Sequence, residues 1–271
     1  MPRESFKEFK QIIQGSKLEK RRKKKDWWHW IYTFLSRYIT WILVKTPITA
    51  NFITITGTLI GLIGLLLIGI GNKFFIIIGF ILLYVYYLSD EVDGEVARYK
   101  NQTSLRGIYY DEIGHLFFQG WLFFSFGFRI YRFNENFLYI ILGVIATFFL
   151  IGIRTIRKIA IVASSKSSIK KSLDQKREDF YMEITKKSFL KLLKSTIINL
   201  TNAFSHTHMI TTMFLIGFLM VINFGFIWIL EIILISYVIF MCLVFLTFLI
   251  TKAKSIERDV IKIHYTMKNL E

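Results

Sequence analysis

Residues 89–118, SDEVDGEVARYKNQTSLRGIYYDEIGHLFF, join the end of one long apolar segment to the start of another. Asp90, Asp93 and Asp111 stand where those segments meet, and His115 follows one helical turn later. On a helix of 3.6 residues per turn, Asp93, Gly94 and Ala97 fall within roughly 60° of Asp90. Two carboxylates therefore share a face with two positions that carry almost no side chain. Gly107, Asp111 and His115 recur at i, i+4 and i+8, which makes a second stripe on the following segment. Glu91, Glu95 and Glu112 lie off these stripes and read as capping or loop acids.

Working outward, the chain of 271 residues is 54% hydrophobic and 17% aromatic, with a formal net charge of +16. Its mean hydropathy of +0.46 suits a polytopic membrane protein better than a soluble domain. The basic residues are grouped between long uncharged runs, a distribution that argues against a nucleic-acid binder. A lone cysteine, Cys242, excludes an intrachain disulfide. The polar N-terminus, MPRESFKEFKQIIQGSKLEKRRKKKD, lacks the apolar core of a cleaved signal peptide.

A helix crosses the hydrocarbon core with about 20 apolar residues. Six segments qualify, at roughly 52–71, 74–92, 108–128, 137–155, 207–225 and 227–250. Lys20–Lys25, Arg98, Lys100, Arg106, the Lys-rich loop after Arg154 and Lys252–Lys254 then share one side, opposite Lys73, Arg129 and Arg132. By the positive-inside rule both termini and the DEVDGEVAR loop are cytoplasmic. The segment 27–44 carries His29, Thr33, Ser36, Arg37 and Thr40 as a polar stripe opposite Trp and Leu, which predicts an amphipathic interfacial helix. The expected fold is thus all-α and polytopic, with six transmembrane helices and an N-terminal interfacial helix. Residues 1–46 form the basic cytoplasmic N-terminus with that helix. The membrane domain covers 47–252 with a basic cytoplasmic loop at 159–204, and 253–271 is a cytoplasmic tail. Within that loop, KKSFLKLLKSTIINL reads as a helix lying on anionic lipid. Gly57 and Gly61 form a GxxxG suited to close packing inside the bundle.

Three carboxylates gathered at a membrane boundary repel one another and are costly to desolvate. One or two divalent cations remove that cost, and hard oxygen ligands select Mg²⁺ or Mn²⁺ with positions left open for phosphate. Gly94 and Ala97 would admit a ligand close to the backbone, and Arg98 is placed to pair with phosphate. The residues by themselves reach a metal-assisted phosphate site.

The spacing Asp90-x2-Asp93-Gly94-x2-Ala97-Arg98-x8-Gly107-x3-Asp111-x3-His115 closely resembles the signature of the CDP-alcohol phosphotransferase (phosphatidyltransferase) family. Seven of its eight positions match, and His115 replaces the last Asp. TPITANFIT, 46–54, is similar to the Thr-Pro-Asn-x-x-Thr that opens the family's first helix, with Ala50 in place of the proline. The resemblance implies six membrane helices, a site facing the cytoplasm and a probe-able chemistry: an acceptor hydroxyl attacks the β-phosphorus of a CDP-alcohol and CMP leaves. It implies a dinuclear Mg²⁺ or Mn²⁺ site held by Asp90, Asp93 and Asp111, with Gly94, Ala97, Arg98 and Asn51 around the nucleotide. His115 inherits the place of an aspartate that is both general base and metal neighbour, and imidazole is suited to either task. The family's members are commonly dimers, so a homodimer is implied as well.

Arg154 and Arg157, three residues apart, are candidates to clasp an anionic acceptor such as a polyol phosphate, with positive-inside anchoring as the plainer reading. His206 and His208 point to opposite sides of a helix and do not make a paired site. The expected partners are a CDP-alcohol donor, a hydroxyl acceptor and membrane lipid. Two other classes remain open: a non-catalytic nucleotide- or lipid-binding membrane protein whose site has lost function at His115, and a transporter. The acids cluster at one interface rather than at mid-membrane, which disfavours the transporter.

Overall fold

The apolar stretch 74–88 has no proline and a single glycine, Gly79, before the acids begin, and the helix continues through them without interruption. In the computed structural model, which describes residues 5–6, 8–14, 27–164 and 207–268, this helix runs Lys73–Tyr99. It extends well beyond the apolar stretch, and the added turns carry Asp90, Asp93, Gly94, Ala97 and Arg98. Eight helices and no strand occur among the described residues: α1 (8–14), α2 (Trp27–Leu43), α3 (Ala50–Ile70), α4 (Lys73–Tyr99), α5 (Leu105–Asn134), α6 (Leu138–Ser164), α7 (Thr207–Phe224) and α8 (Trp228–Lys268). The chain divides into two compact units, Met1–Phe133 and Asn134–Glu271.

Among the described residues, five helices are long and apolar enough to cross a membrane: α3, α4, α6, α7 and α8. The fold is all-helical and of an integral-membrane type. The expected span at 108–128 lies in α5, whose 30 residues suffice in length but which falls short in apolarity. Asp111, Glu112, His115, Gln119 and Arg129 interrupt its hydrophobic sequence. The basic loop 165–206, with its surface-helix segment and His206, lies outside the described residues.

In the first unit, α3 and α4 pack backbone to backbone. A Cβ on Gly64 would stand 2.8 Å from the Gly79 carbonyl oxygen, and one on Gly79 would stand 2.7 Å from that of Gly64. Gly57 likewise accommodates the Ser89 side chain, and Gly61 abuts Tyr86 and Phe118. The GxxxG therefore serves helix packing within this unit. Gly114 of α5 rests against Thr58 of α3, which draws the second stripe in beside the first.

The helix ends are closed by side chains. Thr49 caps α3 by accepting from Phe52 N, and Asn72 caps α4 by accepting from Phe74 N and Phe75 N. At the far end of α3, Arg129 of α5 donates through Nε to the Ile68 carbonyl and through Nη2 to that of Gly71, each at 2.6 Å. Arg132 donates to the Ile70 carbonyl. These carbonyls have no partner within their own helix, so the guanidinium groups satisfy them and complement the helix dipole.

Helix α2 departs from the expected arrangement. Its polar residues Thr33, Ser36 and Thr40 are buried, while Ile31, Phe34, Leu35, Tyr38 and Ile42 are exposed. The polar stripe packs against α4 rather than facing headgroups. Ser36 Oγ and Thr40 Oγ1 each donate to the Glu95 carboxylate at 2.8 Å, and Gln14 of α1 donates to the same group. Glu95 is 1% exposed and Glu91 is also buried, so neither is a solvated capping acid. Helix α1 is started by a reciprocal capping box, in which Ser5 N and Oγ donate to Glu8 while Glu8 N donates to Ser5 Oγ. Its Phe9 is buried edge-on against Trp41 and beside Tyr99.

The second unit is built on α6 and α8. Gly152 gives room to the Phe245 ring, and Gly217 of α7 does the same for Leu230 and Ile233 of α8. Gly225, with φ of +72°, makes the turn between α7 and α8, a conformation that glycine adopts without steric cost.

Candidate metal and phosphate site

The junction between α4 and α5 is set by local chemistry. Asn101 takes a left-handed conformation, φ +52°, just past the end of α4. Gln102 N then donates to the Ala97 carbonyl at 2.8 Å and Asn101 N to that of Arg98 at 3.4 Å, the pairing of a Schellman motif. Ser104 begins α5 by accepting from Gly107 N through Oγ at 3.1 Å. Lys100 Nζ donates to the carbonyls of Thr46 and Ile48, both at 2.7 Å, and ties the junction to the start of α3.

This turn folds α5 back along α4 so that the two stripes face each other. Between them lies a cavity of about 330 Å³, lined from α3 by Asn51 and Thr54, from α4 by Asp90, Asp93, Gly94 and Ala97, and from α5 by Gly107, Asp111 and His115. Gln102, Thr103 and Ser104 of the turn, with Ala50 and Ile108, complete the wall. Gly107 faces Asn51, where a Cβ would approach Asn51 Oδ1 to 3.1 Å.

Asp90, Asp111 and His115 each turn one ligand atom inward, and these atoms lie within 4.8 Å of one another. His115 Nε2 is 3.2 Å from Asp90 Oδ1 and 3.3 Å from Asp111 Oδ1. All three residues are half-buried, so the group is open to a ligand on the cavity side. Two carboxylates and one imidazole nitrogen, pre-assembled beside small residues, are chemically suited to a divalent cation. Asp93 lines the same cavity but stands outside this trio. Its Oδ2 accepts from Thr54 Oγ1 at 2.6 Å, and the residue is 9% exposed.

The structure thus brings together Asn51, Asp90, Asp93, Gly94, Ala97, Asp111 and His115. Arg98 is held elsewhere: it is not part of the cavity wall, and its Nε donates to the Ile13 carbonyl of α1 at 2.6 Å. Arg154 and Arg157 belong to the second unit, where the Arg157 guanidinium sits 4.9 Å from the Phe248 ring centroid.

Sequence reasoning gave no site role to two contributors, Thr54 at the end of the TPITANFIT segment and Tyr86. Thr54, which holds Asp93, stands three residues after Asn51 on α3. Tyr86, whose hydroxyl lies 3.0 Å from His115 Nδ1, stands one turn before Asp90 on α4. Each stands about one helical turn from a residue of the site, but only the packing of three helices shows what they touch. No family model matches this chain, and comparison with curated proteins also returns no match.

Proposed function

We propose that this chain is an integral-membrane enzyme that transfers a substituted phosphate group from a CDP-alcohol to an acceptor hydroxyl, releasing CMP, in phospholipid or polar phosphodiester synthesis. The observation that carries this reading is the convergence of Asp90, Asp111 and His115 on a cavity also lined by Gly94, Ala97 and Gly107. Its likeness to the CDP-alcohol phosphotransferase signature supplies the reaction.

In this reading Asp90, Asp111 and His115 hold Mg²⁺ or Mn²⁺, with Asp93 oriented by Thr54 available to a second ion. The metal, when bound, polarises phosphoryl oxygens and neutralises charge on the leaving nucleotide. The small residues let the diphosphate lie close to the α4 and α5 backbones, and Asn51 and Ser104 offer hydrogen bonds at the rim. The acceptor oxygen bonds to the β-phosphorus, the bond from that phosphorus to CMP breaks, and the acceptor proton passes to a group of the Asp111–His115 pair. Helix α2, polar inward and apolar outward, lies at the interface with its exposed face in lipid. In this reading α5 is a sixth span beside the five apolar helices, and the grouping of Lys and Arg supports a site that faces the cytoplasm.

The test is CMP release by purified full-length protein in detergent or nanodiscs, with Mg²⁺ or Mn²⁺ and panels of CDP-alcohols and acceptors. Metal-dependent release that vanishes in Asp111→Asn is expected. Release at the wild-type rate from Asp111→Asn refutes the assignment of the site. Release from His115→Asp with none from wild type favours a binding protein with a site that has lost turnover.

A further inference from the structure

The two ring nitrogens of His115 have different surroundings. Nε2 faces both carboxylates, at 3.2 and 3.3 Å, and Nδ1 faces the Tyr86 hydroxyl at 3.0 Å. Tyr86 has little freedom to move. It is 5% exposed, and its ring is stacked on Phe118 with centroids 4.0 Å apart and planes inclined by 24°. Gly61 of α3 packs against both rings, since a Cβ there would come within 2.9 Å of Tyr86 Cγ and 3.0 Å of Phe118 Cδ2. Tyr86 thus presents its oxygen to Nδ1 from a fixed position.

A phenolic hydroxyl can accept a hydrogen bond, so it can hold the proton on Nδ1 and leave the Nε2 lone pair directed between the carboxylates. Histidine ligands of metals commonly have their second nitrogen fixed in this manner. The separations also agree with a shared ion. Two adjacent ligands of an octahedral cation, each at about 2.1 Å, stand about 3 Å apart. Both Nε2–carboxylate distances lie close to that value.

We propose that Tyr86 is a positioning residue that holds His115 as a nitrogen ligand between Asp90 and Asp111, and that this ligand makes the site prefer Mn²⁺ to Mg²⁺. Imidazole raises affinity for first-row transition ions, whereas Mg²⁺ gains most from carboxylate and water. With Nε2 engaged on the ion, the acceptor proton would pass to the Asp111 carboxylate oxygen that does not hold the ion, Asp111 being the more exposed of the two carboxylates. The inference rests on the metal-site reading above.

The experiment is Mn²⁺ binding to the full-length protein, followed by electron paramagnetic resonance with Mg²⁺ as competitor. Pulsed measurements detect nitrogen coupled to the bound ion. Wild type is expected to bind Mn²⁺ in preference to Mg²⁺ and to show a ¹⁴N coupling. His115→Asp should bind Mn²⁺ without that coupling and lose the preference. Tyr86→Phe keeps the ring stack and should bind Mn²⁺ about 10- to 100-fold more weakly. Unchanged affinity and coupling in a folded Tyr86→Phe overturn the positioning role, because a purely structural ring would act in this way. Mn²⁺ bound to wild type without ¹⁴N coupling overturns the ligand role but leaves the metal site standing. No Mn²⁺ bound by wild type removes both.

Discussion

Glu95 provides the sharpest test of how the signature helix is braced from behind. Its carboxylate accepts from Gln14, Ser36 and Thr40, so one buried side chain of α4 joins α1 and α2. Glu95→Ala removes three charge-assisted hydrogen bonds, each worth about 1.5–3 kcal/mol. The three do not simply add. Ser36 Oγ already lies 3.4 Å from the Thr33 carbonyl, and Gln14 Nε2 retains that same carbonyl at 3.1 Å. Removing a buried charge returns part of its desolvation cost, while truncation leaves a cavity. The net loss is about 2–4 kcal/mol, shared between the docking of α2 through Ser36 and Thr40 and that of α1 through Gln14, whose bond is about 1.5 kcal/mol of it. Limited proteolysis of the N-terminus reports that docking, because cleavage tracks the open population when closing is fast. The share at α1, about 1.5 kcal/mol, raises the cleavage rate about 10-fold. A double-mutant cycle of Glu95→Ala with Gln14→Ala should show coupling of about 0.5–3 kcal/mol. Wild-type proteolysis in Glu95→Ala, or additive effects in the cycle, would show that the carboxylate does not hold α1.

Other expectations follow from the same packing. Gly64→Ala and Gly79→Ala force a methyl group against backbone oxygen and should destabilise by about 1–3 kcal/mol in detergent melts, whereas Gly120→Ala, with open space around its Cβ, should be neutral or stabilising by up to about 1 kcal/mol. Equal melting temperatures for the three would contradict the close α3–α4 approach. Arg129→Ala strands the Ile68 and Gly71 carbonyls and should lower the melting temperature more than Lys73→Ala at the exposed start of α4. The hydrogen bonds from Ser5 hold the Glu8 carboxyl below its ordinary value of 4.5. Its contribution to α1 is therefore present above that ordinary value and is lost as pH falls through the lower folded-state value. Proteolysis of α1 should accelerate with acidification, and Glu8→Gln should flatten the profile.

The candidate site was largely legible before folding because helical period alone places side chains on faces. Asp90, Asp93, Gly94 and Ala97 had to share one stripe once residues 90–98 were helical, and Gly107, Asp111 and His115 another. The same rule showed a polar stripe on α2 but carried no information about its partner. Headgroups and a buried carboxylate are equally polar, and only the docking of α2 on α4 distinguishes them. Glu95 was misread for the matching reason, since an acid near the end of an apolar run looks solvated until two other elements cover it. Arg98 was expected beside phosphate, yet its side chain meets the Ile13 carbonyl, 85 residues away in sequence, a proximity with no local trace.

What the sequence determined by itself was therefore periodic and local: helices, apolar lengths, caps, and which residues lie on one face. The tertiary structure alone decided which faces meet. Backbone contact at Gly64 and Gly79, the Schellman turn at Asn101 and the seat of Gly114 against Thr58 bring the two stripes together across the cavity. Tyr86 becomes a partner of His115, and Glu95 a clasp for α1, through the same approach of helices. Such contacts depend on distances between elements far apart in the chain, and helical spacing does not encode them.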